Sequence, residues 1–301
     1  MSDRLATMSI LVACVDAGSL TAGARRLGMP LATVSRRVAA LEEQIGTQLL
    51  HRSARGLALT DAGTSYVAAC RRILEDVAEA ERIAAGEFTL PNGLLTLAAP
   101  IVFGRMHVVP VVAAFLGAYP QIDVRLAQAD RLVNLLEEHI DVAVRIGPLP
   151  DSGLRARRVG DVRWVCCAAP AYLAERGRPM RARDLAGHDC ISFAGHMATD
   201  RWRFGTSGAE VQVPIRSRMV VNTAEAAIDA AAAGVGVARV LSYQVAGAVA
   251  DGRLERILRD DEPDPMPVNI LYGGGLVPRK VRAFVDFARP RLAAALKQRA
   301  G

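Results

Sequence analysis

The spacing of Ala24, Gly28 and Val34 constrains this chain more than any other feature. It suits two short helices that cross at close range. Ala24 is small enough for a second helix to pass over it. Gly28 suits a left-handed turn, and Val34 fills the space between the helices. The flanking residues agree with that reading. Leu5, Met8, Leu11, Val12 and Val15 recur at helical spacing until Gly18 stops them. Ser19 is a good N-cap for a helix from Leu20 to Leu27. Pro30 fits the first turn of the next helix, where no donor is lost. That helix runs to about Gln44, with Val34, Val38, Leu41 and Ile45 inward, and Gly46 ends it. Residues 49–52 and 57–60 alternate weakly around a turn at 53–56, which reads as a wing. The expectation is a winged helix-turn-helix.

With those residues inward, Thr33, Ser35, Arg36 and Arg37 face outward. The chain of 301 residues carries 37 Lys+Arg against 31 Asp+Glu, a net charge of 37 − 31 = +6. Up to Leu90, ten arginines balance ten acidic residues, but between Arg25 and Arg55 six arginines meet only Glu42 and Glu43. A local basic surplus around an exposed helix points to duplex DNA, with the helix in the major groove and arginines near phosphates. Thr21, at the start of the preceding helix, joins this set. Arg52 and Arg55 in the wing either touch phosphate and the minor groove or are plain turn charges.

Thr60 caps a long helix, with Asp61 in its first turn. Tyr66, Cys70, Ile73, Val77, Ala80 and Ala84 are spaced four and three apart in alternation. That is a heptad seam, and it suggests pairing with a second copy of the chain. Gly86 ends the seam and residues 88–93 form a linker. The texture then changes to alternating strands and helices, the pattern of an α/β domain whose sheet is parallel in large part. After a turn at 100–104, helices are expected over 106–119, 132–138, 170–176, 223–233 and 278–296. One strand is expected within 160–168, and a hairpin at 202–204 and 211–215.

Other chemistry finds little support. The five cysteines form no CxxC, and no histidine stands at zinc-ligand spacing. None of the five histidines lies in a nucleophile or HExxH motif. Gly273-Gly274-Gly275 lacks the lysine of a phosphate loop. No catalytic residue, metal or cofactor is expected. The start shows no targeting segment, and the apolar run from Val108 to Ala118 is too short to span a bilayer. A cytoplasmic location with buried thiols is the plain expectation.

Several fragments together carry a family resemblance: Ala17-Gly18-Ser19-Leu20-Thr21, Ala24, Leu27, Val34-Ser35-Arg36, Leu41-Glu42, Ile45-Gly46, Leu49-Leu50-His51-Arg52 and Leu59-Thr60-Asp61-Ala62-Gly63. Residues 1–90 resemble the LysR-type transcriptional regulators. The remainder is similar to that family's effector-binding region, an α/β domain of two lobes like a periplasmic binding protein. The resemblance implies a DNA-binding domain over 1–60, a dimerisation helix and hinge over 61–92, and an effector domain over 93–301. Its lobes would be 93–163 with 269–301, and 164–268, joined near Arg163 and Val268. It further implies a homodimer or homotetramer, an interrupted dyad operator, contact with RNA polymerase and a small effector between the lobes. One departure stands out. The family often opens its recognition helix with Ser-Gln-Pro, and here Pro30, Leu31 and Ala32 stand there. Base reading then falls to Thr33, Ser35, Arg36 and, through a thymine methyl, Leu31.

In two-lobed folds ligands sit at strand C-termini, near helix N-termini. That selects Pro100, Ile101 and Val102, then Ala129 with Asp130, then Arg145 to Gly147. On the other lobe it selects Phe193 to Gly195, Asn222 and Thr223. Arg145 either contacts ligand or pairs with Asp141 or Asp130. Asn222 and Thr223 either contact ligand or cap the following helix. The largely apolar loops at Pro100 and Phe193 favour an aromatic or weakly polar effector. Two rivals remain: a solute-binding protein with an incidental N-terminal domain, and a redox switch using Cys166, Cys167 or Cys190.

Overall fold

A computed structural model describes residues 2–53, 56–84, 90–131, 134–135, 137–149, 152–193, 201–275 and 277–298. The chain forms two compact units, Met1–Leu90 and Pro91–Gly301.

In the first unit, helix α1 spans Ser2–Asp16, α2 Leu20–Leu27 and α3 Leu31–Ile45. The wing strands are β1, Leu50–Ser53, and β2, Gly56–Leu59, paired antiparallel with Leu50 opposite Leu59. Helix α4 spans Asp61–Ala84. Local signals act largely as read. Ser19 Oγ accepts the Ala22 N–H at 3.0 Å. Gly18, Gly28 and Gly46 adopt φ of 73°, 63° and 74°, the left-handed region that suits glycine at helix ends. Thr60 Oγ1 accepts the Gly63 N–H at 2.9 Å. Pro30 lies one residue earlier than expected. It is the N-cap of α3, with φ −61° and ψ 136°, because that extended ψ breaks the turn before the helix begins.

The heptad seam divides between two roles. Val67 belongs to the core of this unit with Tyr66 at its edge, and Cys70 is fully buried, whereas Ile73 is exposed. Arg71 holds α4 to the end of α1 through Asp16.

The second unit holds two five-stranded sheets. The first contains β3 (Gly93–Ala99), β4 (Ile122–Gln128), β5 (Val142–Ile146), β6 (Arg155–Val162) and β14 (Met266–Tyr272), in the order β4-β3-β5-β14-β6. The second contains β7 (Trp164–Ala168), β8 (Asp189–Phe193), β11 (Arg216–Val221), β12 (Val237–Leu241) and β13 (Glu255–Ile257), in the order β11-β8-β12-β7-β13. A hairpin of β9 (Arg201–Phe204) and β10 (Val211–Pro214) lies beside it.

Several features depart from the sequence reading. Both sheets are mixed rather than largely parallel: β3 runs parallel to β4 and β5, but β14 runs antiparallel to β5 and β6. The second sheet repeats this, with β8 parallel to β11 and β12, and β7 antiparallel to β12 and β13. A chain that crosses between lobes and returns enters the first sheet from the opposite end, which reverses that strand. Second, the expected strand within 160–168 is two strands, β6 and β7, one in each sheet, divided at Arg163. Third, β14 belongs to the first sheet along its whole length, so the return crossing precedes Met266 rather than falling at Val268. Fourth, no helix forms over the described part of 132–138; Leu135 and residues 137–139 are turns. Arg131 pairs with Glu138, the Asn134 N–H donates to Glu138 Oε1 at 3.1 Å, and the Glu138 and Ile140 N–H groups donate to the Asn134 and Leu135 carbonyls at 2.9 Å each, so side-chain and backbone bonds together close turns here.

The helix expected from Met106 begins directly after Pro100. It is α5, Ile101–Ala118, with a π turn over Gly104–Val108. An added Cβ at Gly104 would lie 2.5 Å from the Gln128 side chain, so the helix meets β4 closely there. By length and composition α5 could cross a membrane. Here Val111, Val112 and Phe115 place it in the core against the first sheet. The later helices are α6 (Pro170–Arg176), α7 (Ala224–Ala232), α8 (Ser242–Ala250) and α9 (Arg279–Gln298).

Candidate nucleic-acid interface and ligand cleft

Helix α3 presents its outer face because its inner face is committed. Val34 and Val38 are fully buried and Leu41 nearly so. At 3.6 residues per turn, position 36 then points away from the core. Leu31, Ala32, Arg36, Ala39 and Ala40 are exposed, as is Thr21 at the start of α2. Thr33, Ser35 and Arg37 are half-buried, so they flank the outward face rather than form it. The backbone of Arg52 lies in β1 opposite Leu57. Arg55 lies outside the described residues.

Two contacts that hold this head together left weaker signals in the sequence. Gly23 meets α1 so closely that an added Cβ would lie 2.5 Å from Cys14 Sγ and 2.6 Å from its Cα. The close crossing therefore involves Gly23 as well as Ala24. Glu42 Oε1 accepts the Leu49 and Leu50 N–H groups at 2.8 and 3.0 Å. One of the two acidic residues in the basic stretch thus fixes the entry to the wing.

In the second unit a cavity of about 660 Å³ lies between the lobes. The first lobe contributes the end of β3 with Pro100, Ala129 to Arg131 after β4, and β5 from Ala143 to Ile146. The second contributes Trp164, Phe193, Leu241, Tyr243 and Gln244. Of the residues selected from sequence, Pro100, Ala129, Asp130, Arg145, Ile146 and Phe193 line it. The others have different work. Val102 is buried in the first core. The Ile101 N–H donates to Asp130 Oδ1 at 3.0 Å. Gly147, at φ 105°, donates its N–H to the Pro267 carbonyl at 2.9 Å. Thr223 Oγ1 accepts the Ala226 N–H at 3.3 Å, so it caps α7. Asn222 is exposed and is absent from the cavity wall. These two follow β11, an edge strand, whereas the cavity opens at the ends of β7, β8 and β12. Ala194 and Gly195 lie outside the described residues.

Sequence reasoning missed Trp164, Tyr243 and Gln244. The available signal was that Trp164 directly follows the inter-lobe residue Arg163. The Ser242 N–H donates to the Arg163 carbonyl at 2.8 Å, which brings Tyr243 to the crossing. Tyr243 packs edge-on against Phe103 of the first lobe, with ring centroids 5.4 Å apart, and lies 5.5 Å from the His107 ring. Burial pushes its hydroxyl well above the ordinary tyrosine range, and the Asp130 and Glu225 carboxylates add to this. It therefore stands in the cleft as a neutral hydroxyl. Trp164 is backed by the Arg239 guanidinium, 5.2 Å from its ring centroid. Arg105 and Glu225 form an exposed ion pair between the lobes at 3.4 Å.

All five cysteines are free and buried. Burial raises the thiols of Cys166, Cys167 and Cys190, the last two to about 12. A thiolate is the reactive form, so this burial argues against the redox alternative. No cluster able to hold a metal ion occurs among the described residues.

Residues 5–64 match a family model described as a bacterial regulatory helix-turn-helix protein of the lysR family, and residues 89–293 match the LysR substrate binding domain. The chain belongs to the LysR family of transcriptional regulators. It is 33% identical to a probable HTH-type transcriptional regulator, LtrA, of Klebsiella pneumoniae, over 94% of this chain and 93% of that one. It is 34% identical to an HTH-type transcriptional repressor of Pseudomonas aeruginosa strain UCBPP-PA14, over 95% and 91%. Among solved structures it resembles the LysR-type regulator CrgA of Neisseria meningitidis, with a TM-score of 0.60, 31% identity and coverage of 95% and 98%. This LysR-type regulator is thus a DNA-binding transcription factor with an effector-binding domain, and the inter-lobe cavity lies in the part that matches the family's substrate binding domain.

Proposed function

We propose that this regulator reads an interrupted dyad operator with α3 and answers to a small molecule bound in the inter-lobe cleft. The outward Arg36, set on a helix whose opposite side is fully buried, carries the DNA part of this reading. Leu31 and Arg36 meet bases or their phosphates, Thr33, Ser35 and Arg37 flank them, and Thr21, Arg52 and Arg55 meet backbone. The seam of α4 beyond Cys70, where Ile73 and Ala80 are exposed, pairs two copies, and two pairs form a tetramer. Effector binds one lobe arrangement better than the other. That bias changes how the tetramer spaces its reading heads and how it meets RNA polymerase. The cleft walls are mainly apolar, which suits an effector with an apolar or aromatic body. The protein works in the cytoplasm and catalyses no reaction.

Footprinting on its own upstream region, with and without a metabolite panel, tests this reading. Protection should fall on two half-sites, weaken steeply with salt, and shift with one metabolite. A salt-independent interaction with no footprint would favour the solute-binding alternative instead.

A further inference from the structure

We propose that the cleft takes a small aromatic monocarboxylate, held at its anionic end by Arg145 beside Asn269. The proposal rests on the cleft being the effector site and adds the chemistry of its ligand.

Three charged side chains line the cavity: Asp130, Arg131 and Arg145. Two are engaged. Asp130 accepts the Ile101 N–H at the start of α5. That helix end would otherwise offer its donors to an anion, but the chain's own carboxylate already faces it and repels a second one. Arg131 is held by both oxygens of Glu138, at 2.6 and 2.5 Å. Arg145 is left. It is half-buried, and no carboxylate pairs with it among the described residues.

The sheet register supplies a second group. Arg145 on β5 stands directly opposite Asn269 on β14. Leu271, two residues beyond Asn269 and therefore on the same face, lines the cavity, and Asn269 adjoins that wall through its register with Arg145 without itself being one of the lining residues. Asn269 is only 6% exposed, and no hydrogen bond engages its side chain among the described residues. A half-buried guanidinium that no carboxylate pairs favours a planar anion that it can grip with two N–H groups. A buried amide favours a partner for its N–H. One carboxylate meets both demands. A second negative charge on the ligand would find no free cation and would face Asp130.

The rest of the wall decides the body of the ligand. Trp164, Phe193 and Tyr243 supply aromatic surface, and Leu135, Leu154 and Leu271 supply aliphatic surface. A flat ring packs well against such groups, and the cavity volume falls within the range of small-molecule sites.

Benzoate, benzamide, benzylamine and acetate serve as probes on the full chain. Binding is followed by calorimetry and by the emission of Trp164, isolated by difference from the Trp164→Phe variant. Benzoate should bind at least tenfold tighter than benzamide or acetate and should alter Trp164 emission. Arg145→Gln should weaken benzoate at least tenfold while leaving benzamide little changed, and Asn269→Leu should weaken benzoate severalfold. Unfolding midpoints show whether each variant is folded. If Arg145→Gln does not fold, the benzoate-to-benzamide ratio of the unaltered protein decides. Benzamide or acetate binding as tightly as benzoate overturns the proposal, as does undiminished benzoate binding by folded Arg145→Gln. If benzamide or benzylamine moves Trp164 emission and benzoate does not, the cleft stands as the effector site and the carboxylate assignment falls. If benzoate binds and none of the probes moves Trp164 emission, the cleft assignment falls with it.

Discussion

Arg36 and Gly63 show how differently single residues are constrained in the reading head. Arg36 is exposed and lies opposite the buried stripe of α3. Its loss removes charge without opening a cavity. Arg36→Ala should weaken operator binding by roughly 1–3 kcal/mol and leave the unfolding midpoint unchanged; fully retained affinity in a mobility-shift titration would argue against α3 as the reading helix. Gly63 is constrained by space. An added Cβ would lie 1.9 Å from the Leu49 carbonyl oxygen, which is backbone and cannot move aside. Gly63→Ala should therefore cost about 3 kcal/mol, read as a lowered denaturation midpoint of the first unit. Arg36 was legible from spacing alone. The constraint on Gly63 was not, because it comes from a loop fourteen residues earlier.

The capped helix and the buried strand are the elements whose stability can be tested most directly. Thr60 both caps α4 and donates its hydroxyl to the Gln48 carbonyl at 2.8 Å, tying the helix to the wing. Thr60→Ala should cost about 1 kcal/mol by chemical denaturation. Strand β7 buries Cys166 and Cys167, and β8 buries Cys190 beside β12. Burial raises Cys167 and Cys190 from the usual 9.0 to about 12, so the folded chain keeps protons that the unfolded chain releases. The stability they provide is full below about pH 9 and is lost as pH rises toward 12. The thermal midpoint should accordingly fall over that range, and replacing Cys167 and Cys190 with alanine should flatten the fall. A midpoint independent of pH up to 11 would contradict this account. Helical elements with strong local signals, such as α2, α3 and α4, were readable from caps and periodicity. The turns at Leu135 and 137–139 were not, because the Arg131–Glu138 ion pair helps to close them.

At the scale of the molecule, the net charge lies outside the first unit, because the acidic residues of α4 and the stretch that follows it offset the basic reading head. Residues 1–90 are neutral overall, so the surplus of +6 belongs to the rest, where (37 − 10) − (31 − 10) = 6. DNA binding therefore depends on local placement of arginines rather than on net charge. The two lobes of the second unit are joined through Tyr243, which belongs to the second lobe yet packs in the first lobe's core with Phe103. Tyr243→Ala should cost about 3–5 kcal/mol and should also change ligand response, since the same side chain lines the cleft. A calorimetric trace unchanged by this substitution would show that the lobes do not depend on it. The sequence by itself determined the reading head, because its helices are specified by residues within a few positions of one another: a cap, a glycine at positive φ, a buried stripe. It also determined the alternation of strands and helices behind that head. Only the tertiary structure decided which way β14 runs, where the chain returns to the first lobe, and which side chains wall the cleft. Those depend on pairing between segments more than a hundred residues apart, such as Arg145 with Asn269 across β5 and β14. Spacing along the chain carries no record of such a partner, because the register is set when two distant strands meet and bury their faces together.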